Sequence, residues 1–190
     1  MSKPLFNVKV ALLVASGFNQ PDMVAVQRAL LDAGANVRIV SPDNGLVNGW
    51  EGASWGHNFA VDSHLSKALG ADFGVLVVPG GQRSADKLKL TAHTKRFVSS
   101  FFAANKPVVV MNEGVSALTV AETIQGRTVN GPEALADFAM QYGAIWSDDF
   151  PCVDGNLISG ECTDETRAEF VTEMVEFVVA AVNVKMAQAA

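Results

Sequence analysis

Cysteine and basic residues are scarce in this chain of 190 residues, and a long apolar run is missing altogether. Two cysteines, Cys152 and Cys162, are too few for a disulfide framework or a cysteine-based metal site, and we expect no metal. No apolar run reaches the roughly 18 residues that a membrane-spanning helix needs. The formal net charge of −6, without any polybasic run, argues against nucleic acids and anionic membranes as partners.

Apolar residues, by contrast, are abundant. They make up 49% of the sequence with a mean hydropathy of +0.21, which favours a large core or a surface covered by self-association. The length fits a single domain spanning residues 1–190. A strand pattern follows close to the start, so we expect no secretory signal and a cytoplasmic protein. Neither a Rossmann glycine fingerprint nor a phosphate-binding loop is present, so we expect no cofactor.

Apolar and amphipathic segments alternate along the chain. Strands are predicted at 8–15, 36–40, 72–78 and 108–111, and helices at 22–33 and 91–104. Near-continuous aliphatic strands separated by helices indicate a mainly parallel sheet with helices on both faces. We therefore predict an α/β protein with three layers.

Other segments depart from this alternation. Residues 46–61 are rich in Gly, Trp and Asn and predict a small β-hairpin excursion, after which 61–65 is predicted to enter a short helix. A second hairpin is expected at 152–159, where an Asp154-Gly155 turn would pair Cys152 with Leu157. The last helix is predicted to follow a cap at Thr163 and to bury one face. That face carries Phe170, Met174, Phe177 and Val178.

The most informative segment is the strand 108–111, which runs into Asn112-Glu113-Gly114 and then a helix. This layout is typical of a nucleophile elbow, in which the turn residue is held at the end of the sheet for chemistry. Asparagine tolerates the left-handed backbone of such a turn, but its carboxamide is not an activated nucleophile. The sequence therefore predicts the backbone of a nucleophile elbow without a nucleophilic side chain.

Three loops are expected to meet at this point, because sites in parallel sheets form beyond the carboxyl ends of the strands. Gly80 and Gly81 either provide backbone N–H donors for an oxyanion or form a tight turn. Glu113 either caps the helix or acts as a general base, and the helix dipole favours capping because it lowers basicity. Asp22 is either a first-turn acid or a side chain that projects toward Asn112.

Four motifs resemble the ThiJ/PfpI family of the class I glutamine-amidotransferase-like superfamily. They lie at 9–18, at 72–81 (DFGVLVVPGG), at 105–108 before the elbow, and at 153–159 (VDGNLIS). The resemblance covers about 8–182 and implies a flavodoxin-like fold. The chain is also similar to the C-terminal domains of large-subunit catalases, which lack the elbow cysteine.

The resemblance also implies which residues would form the site. In the family, a cysteine at the elbow is often followed by histidine, and a glutamate touches the thiol. Those positions match Asn112, Glu113 and Asp22 here. Gly81 and the backbone at Glu113 match the oxyanion-hole positions, next to Gly80 and Gly114. Thiol-dependent protease, amidase or deglycase chemistry is therefore not expected.

Competing functions remain open. The first is a non-catalytic structural or small-ligand-binding homodimer, in which the Asn112 amide donates to an ionised Asp22. The alternative is a cysteine-independent acid–base enzyme, with Glu113 and Asp22 acting on a small carbonyl compound as a hydratase, isomerase or glyoxalase-like enzyme. A hydrolase of the amidase or protease type, using Cys152 or Cys162, ranks last.

Self-association is expected through the hairpin excursion. Trp50, Trp55 and Phe59 lie on it, and exposed aromatic side chains would be unfavourable in a monomer. We therefore predict that these three residues contribute to a homodimer interface.

Overall fold

The computed structural model describes residues 3–189, which form twelve strands and six α-helices. In chain order the strands are β1 (Lys9–Leu13), β2 (Phe18–Asn19), β3 (Asn36–Ser41), β4 (Leu46–Glu51), β5 (Ser54–Ala60), β6 (Ser63–His64), β7 (Val75–Val78), β8 (Val108–Met111), β9 (Thr128–Val129), β10 (Ile145–Trp146), β11 (Cys152–Asp154) and β12 (Leu157–Gly160). The helices are α1 (Gln20–Asp32), α2 (Gln82–Lys89), α3 (Ala92–Ala103), α4 (Val115–Val120), α5 (Ala136–Gln141) and α6 (Arg167–Ala189).

Seven strands form the central sheet, in the order β11-β12-β8-β7-β1-β3-β6. β11 runs antiparallel to β12, and the remaining neighbours pair in parallel. The strands β1, β7, β8 and β12 are buried almost completely, which explains why apolar residues predominate in them.

Two hydrophobic cores lie on opposite faces of this sheet, because successive strand residues point to opposite sides. One core packs Met23, Val26 and Leu30 of α1, together with Phe170 and Met174 of α6, against the sheet. The other core contains the apolar residues of α2, α3 and α4. The predicted three-layer, flavodoxin-like α/β fold is confirmed.

The hairpin excursion is present as β4 and β5, which join β2 in a three-stranded sheet. The prediction of a short helix at 61–65 was wrong, since Ser63–His64 forms β6 and pairs with the end of β3. Leu65 is fully buried there. The extended conformation of this segment is therefore decided by packing against the core, which the local sequence pattern does not reveal. Among residues 3–189 no helix is long and apolar enough to cross a bilayer.

The second hairpin has a different register from the predicted one. Cys152 lies opposite Ser159, and Asp154 lies opposite Leu157. The turn therefore uses Gly155, whose φ of 57° is left-handed, and Asn156 rather than Asp154 and Gly155. Shifting the turn by one residue moved every cross-strand pair in the hairpin.

Candidate functional site

The strand β8 ends at Met111 and leads directly into a tight turn at Asn112. The φ of Asn112 is 48°, in the left-handed region that asparagine adopts more readily than most residues. A single 3-10 turn, Asn112–Gly114, then passes into α4. Gly114 lies so close to the carbonyl oxygen of Val78 that a Cβ would collide with it. The backbone is therefore that of an elbow standing at the carboxyl end of the sheet.

The carboxamide of Asn112 links the elbow to two distant parts of the chain. Its Nδ2 donates to Oδ2 of Asp22 at 2.8 Å and to the carbonyl oxygen of Cys162 at 3.0 Å. Its Oδ1 accepts from the backbone N–H of Cys162 at 2.8 Å. Because both amide protons and the carbonyl oxygen are bound, the buried side chain has its polar groups satisfied.

Asp22 is completely buried at the third position of α1, and its other oxygen binds Arg167. The Nε of Arg167 donates to Oδ1 of Asp22 at 2.7 Å, while Nη1 donates to the exposed Asp164 at 2.8 Å. Sequence reasoning did not identify Arg167, which lies 145 positions away. Its isolation as a basic residue within the acidic segment 161–169 is the one local signal.

The environment of Asp22 combines opposing effects on its pKa. Burial raises the pKa of the carboxyl, whereas the hydrogen bond and charge of Arg167 and the amide of Asn112 lower it. Both carboxylate oxygens accept from groups that carry protons and have no lone pair to offer. Burial outweighs the other effects, so the pKa of Asp22 is raised overall, and the guanidinium and the amide are the groups that favour its ionised form.

The predicted oxyanion donor Gly81 is already bound by the chain itself. Its backbone N–H donates to Oε2 of Glu113 at 2.7 Å. Gly81 has a φ of 119°, and the neighbouring Gly80 packs so closely that a Cβ would lie 2.7 Å from Cβ of Asn112. An oxyanion ligand would have to displace the half-buried Glu113 carboxylate before it could use this donor.

A profile of the DJ-1/PfpI family matches residues 8–177. The chain belongs to the DJ-1/PfpI family. The sequence resemblance to ThiJ/PfpI proteins is therefore confirmed.

Among sequence relatives, the chain is 28% identical to Deglycase PH1704 of Pyrococcus horikoshii, over 90% of this chain and 98% of that protein. It is 26% identical to Deglycase PfpI of Pyrococcus furiosus, over 80% and 89% respectively. A two-domain protein from Anabaena variabilis, with a DJ-1/ThiJ/PfpI-like and a ferritin-like domain, superposes with a TM-score of 0.82 and 26% identity. The match covers 90% of this chain but 48% of that protein. DJ-1 of Schizosaccharomyces pombe, at 19% identity and a TM-score of 0.77 over 90% and 92%, shares the fold.

Cys162 lies beside the elbow of this DJ-1/PfpI protein, whereas Cys152 lies on the edge strand β11. Both thiols are free and buried. Burial raises the pKa of the Cys152 thiol, and burial together with the charge of Asp22 raises that of Cys162 far more. Since the thiolate is the reactive form, neither cysteine is suited to nucleophilic attack near neutral pH.

We expect iodoacetamide to leave both cysteines unmodified in the native protein near neutral pH, because each thiol is buried and protonated. Two additions per chain should appear once the protein is unfolded in denaturant, and intact-mass spectrometry measures both states. Rapid modification of Cys162 in the native protein would contradict the expectation.

The aromatic residues of the hairpin excursion find partners within the chain. Phe59 packs edge-on against Phe18, with ring centroids 5.6 Å apart. Trp50 packs edge-on against Trp55 at 5.3 Å and carries the guanidinium of Arg83 at 3.9 Å from its centroid. Trp55 alone of the three predicted interface residues is mainly exposed, at 54%. The excursion therefore offers less unpartnered aromatic surface than its sequence indicates.

Gln20 fixes the excursion to the start of α1. Its side chain is buried, accepts from the backbone N–H of His57 at 2.6 Å, and binds the carboxylate of Glu51 and the ring of His57. Gly49 and Gly56 leave the space that this amide fills, since a Cβ on either would collide with it. The sequence shows these glycines, but their partner lies on a different element.

Proposed function

We propose that this chain is a non-catalytic member of the DJ-1/PfpI family that acts as a structural or small-ligand-binding homodimer. The observation that carries the proposal is the state of the Asn112 amide, which has no nucleophilic atom and is bound on both sides by Asp22 and Cys162. Cytoplasmic localisation and the likeness to catalase C-terminal domains remain expectations from the sequence.

The occupation of Gly81 supports the same proposal. In an acyl-transfer site the backbone donors must be free to bind the oxygen on which negative charge develops. Here the Gly81 N–H is bound by a carboxylate of the same chain, at 2.7 Å. A carboxylate in this position also repels an incoming anion. The elbow side chain and the oxyanion donor are thus both engaged in hydrogen bonds within the chain.

Turnover assays test the proposal. The wild-type protein and Asn112→Ala are compared in deglycase, glyoxalase, amidase and esterase assays, with Deglycase PH1704 as a parallel sample. We expect no turnover above the buffer rate from either form of this chain, and a loss of stability in the variant. Robust wild-type turnover that disappears in Asn112→Ala would overturn the proposal.

An acid–base enzyme acting on a small carbonyl compound is the second candidate. The observation that favours it is the proximity of two carboxyl groups, since burial and, to a smaller extent, the charge of Glu113 raise the pKa of Asp22. Glu113 is half-buried and would face the substrate, while Asp22 is fully buried and bound on both oxygens. Turnover whose pH–rate profile is unchanged in Glu113→Gln would exclude this mechanism.

The homodimer is proposed from the exposed Trp55 and the apolar composition. Light scattering at micromolar concentration is expected to give twice the chain mass of 20.1 kDa. A monomeric mass would remove the homodimer from the proposal without affecting the argument at the elbow.

A further inference from the structure

A cleft of about 520 Å³ lies at the edge of the sheet, away from the elbow residues. Strands β1, β3 and β6 form one side, and the connection 65–73 forms the other. Its volume is within the range of small-molecule sites in proteins. The residues that matter for its chemistry are Lys9, Arg38, His64, Lys67, Ala68 and Phe73.

The connection 65–73 is held in place by two cationic side chains from outside the cleft. Nη2 of Arg96 donates to the carbonyl oxygens of Leu65 and Ala68, both at 3.0 Å. Nζ of Lys106 donates to the carbonyl oxygens of Gly70 at 2.8 Å and Phe73 at 2.7 Å. Hydrogen bonds from charged donors are stronger than neutral ones, so this wall is preorganised.

The cleft is positively charged in a protein whose net charge is −6. Lys9, Arg38 and Lys67 outnumber the two carboxylates, Asp62 and Asp72. Arg38 pairs with Asp62 at 3.2 Å, whereas neither Lys9 nor Lys67 has a carboxylate within salt-bridge distance in the part of the chain that the structure describes. Two ammonium groups are thus without a carboxylate partner, and Nζ of Lys9 lies 5.8 Å from the centroid of the Phe73 ring.

The floor of the cleft is apolar. Phe73 and Ala68 are almost fully buried, and the Phe73 ring is fixed edge-on against Phe97 at 5.9 Å. His64 belongs to the wall, because one ring nitrogen contacts Oγ of Ser66 at 2.7 Å and the other contacts the carbonyl oxygen of Pro42 at 2.9 Å. Cationic groups above an apolar floor suit a ligand with one anionic end.

We propose that this cleft binds a small organic anion. Its carboxylate or phosphate group lies by Lys9 and Lys67, and its apolar part lies against Phe73 and Ala68. Ligand binding in this cleft does not depend on whether the elbow is catalytic. A negative result for binding would therefore leave the proposed function untouched, and turnover at the elbow would leave this proposal untouched.

Titrations followed by amide NMR spectra test the ligand chemistry. Benzoate and phenyl phosphate carry the two candidate anionic groups, inorganic phosphate lacks the apolar part, and benzyl alcohol lacks the charge. We expect saturable shifts at the amides around the cleft with benzoate or phenyl phosphate, and the tighter of the two identifies the anionic group. Saturable shifts from neither compound, or equal affinity for benzyl alcohol, would overturn the proposal.

The variant Lys9→Gln/Lys67→Gln tests the site. Both side chains are exposed, so the fold should tolerate the change, and the affinity for the tighter probe is expected to fall by at least about tenfold. Lys87→Gln/Lys95→Gln makes the same change in net charge on lysines that do not line the cleft, and should bind like the wild type. Equal losses in the two variants would show a long-range charge effect only and overturn the assignment.

Discussion

Replacing Arg167 with methionine is expected to lower the free energy of unfolding by about 3–5 kcal/mol, because it leaves a buried carboxylate without its cationic partner. Asp22 is fully buried, and the Arg167 side chain is 17% exposed, so solvent can replace little of the lost interaction. Urea unfolding followed by circular dichroism gives the free energy directly.

Two further variants show whether the charge of Asp22 causes this loss. Arg38→Met removes an exposed ion pair with Asp62 at 3.2 Å and should cost about 0–1 kcal/mol. Asp22→Asn in the Arg167→Met background removes the unpaired charge and should recover part of the stability. A double variant as unstable as Arg167→Met alone would show that lost packing dominates.

The loss in Arg167→Met should also depend on pH in a defined direction. Arg167 supplies the main effects that lower the pKa of Asp22, so its removal leaves burial to raise that pKa further. A carboxyl whose folded pKa exceeds its unfolded value of 3.8 opposes folding only when ionised. The loss of unfolding free energy relative to the wild type is therefore expected to be small near pH 4. It should grow as the pH rises from the folded pKa of Asp22 in the wild type toward its higher folded pKa in the variant.

Asn112→Ala is expected to lower the free energy of unfolding by at least about 3 kcal/mol. It leaves Oδ2 of Asp22 and both backbone groups of Cys162 without their partners, at about 1–3 kcal/mol for each buried group. It also places alanine at a φ of 48°, which adds about 1–2 kcal/mol. Denaturant unfolding measures the total.

Asn105 supplies a matched control, since it is an exposed asparagine with a φ of 50°. Asn105→Ala should therefore cost only the backbone part, about 1–2 kcal/mol. Asn112→Gly removes the same hydrogen bonds as Asn112→Ala and relieves the left-handed strain, so it should lie between the two. If Asn112→Ala and Asn105→Ala cost the same, the amide bonds at the elbow contribute nothing measurable.

The elbow could be predicted from the sequence because its signal is local. Residues 108–120 contain the whole signal: four buried apolar residues, a residue that tolerates positive φ, and a helix. None of these features needs a distant partner. The resemblance to the ThiJ/PfpI family implies a contact between Asn112 and Asp22, one of two roles that the sequence allows for Asp22, and the structure contains this hydrogen bond.

Other parts of the site depend on contacts that no local pattern encodes. Arg167 reaches Asp22 only because α6 packs beside α1, and Cys162 lies at the elbow because β12 pairs with β8. Glu113 was expected to cap a helix or act as a base, and its contact with Gly81 depends on side-chain placement across two loops. The prediction therefore found the location of the site but not the partners that close it.

The hydrogen bonds of the Asn112 side chain also affect how easily the elbow opens locally. It connects residues 90 positions before it and 50 positions after it, and Arg167 extends this connection to the first turn of α6. A local opening at the elbow would have to separate α1, the turn and the start of α6 together. Such an opening approaches the cost of global unfolding, so amide hydrogens around Asn112 should exchange with solvent among the slowest in the protein. These hydrogen bonds therefore make α1, the elbow and the start of α6 one cooperative unit.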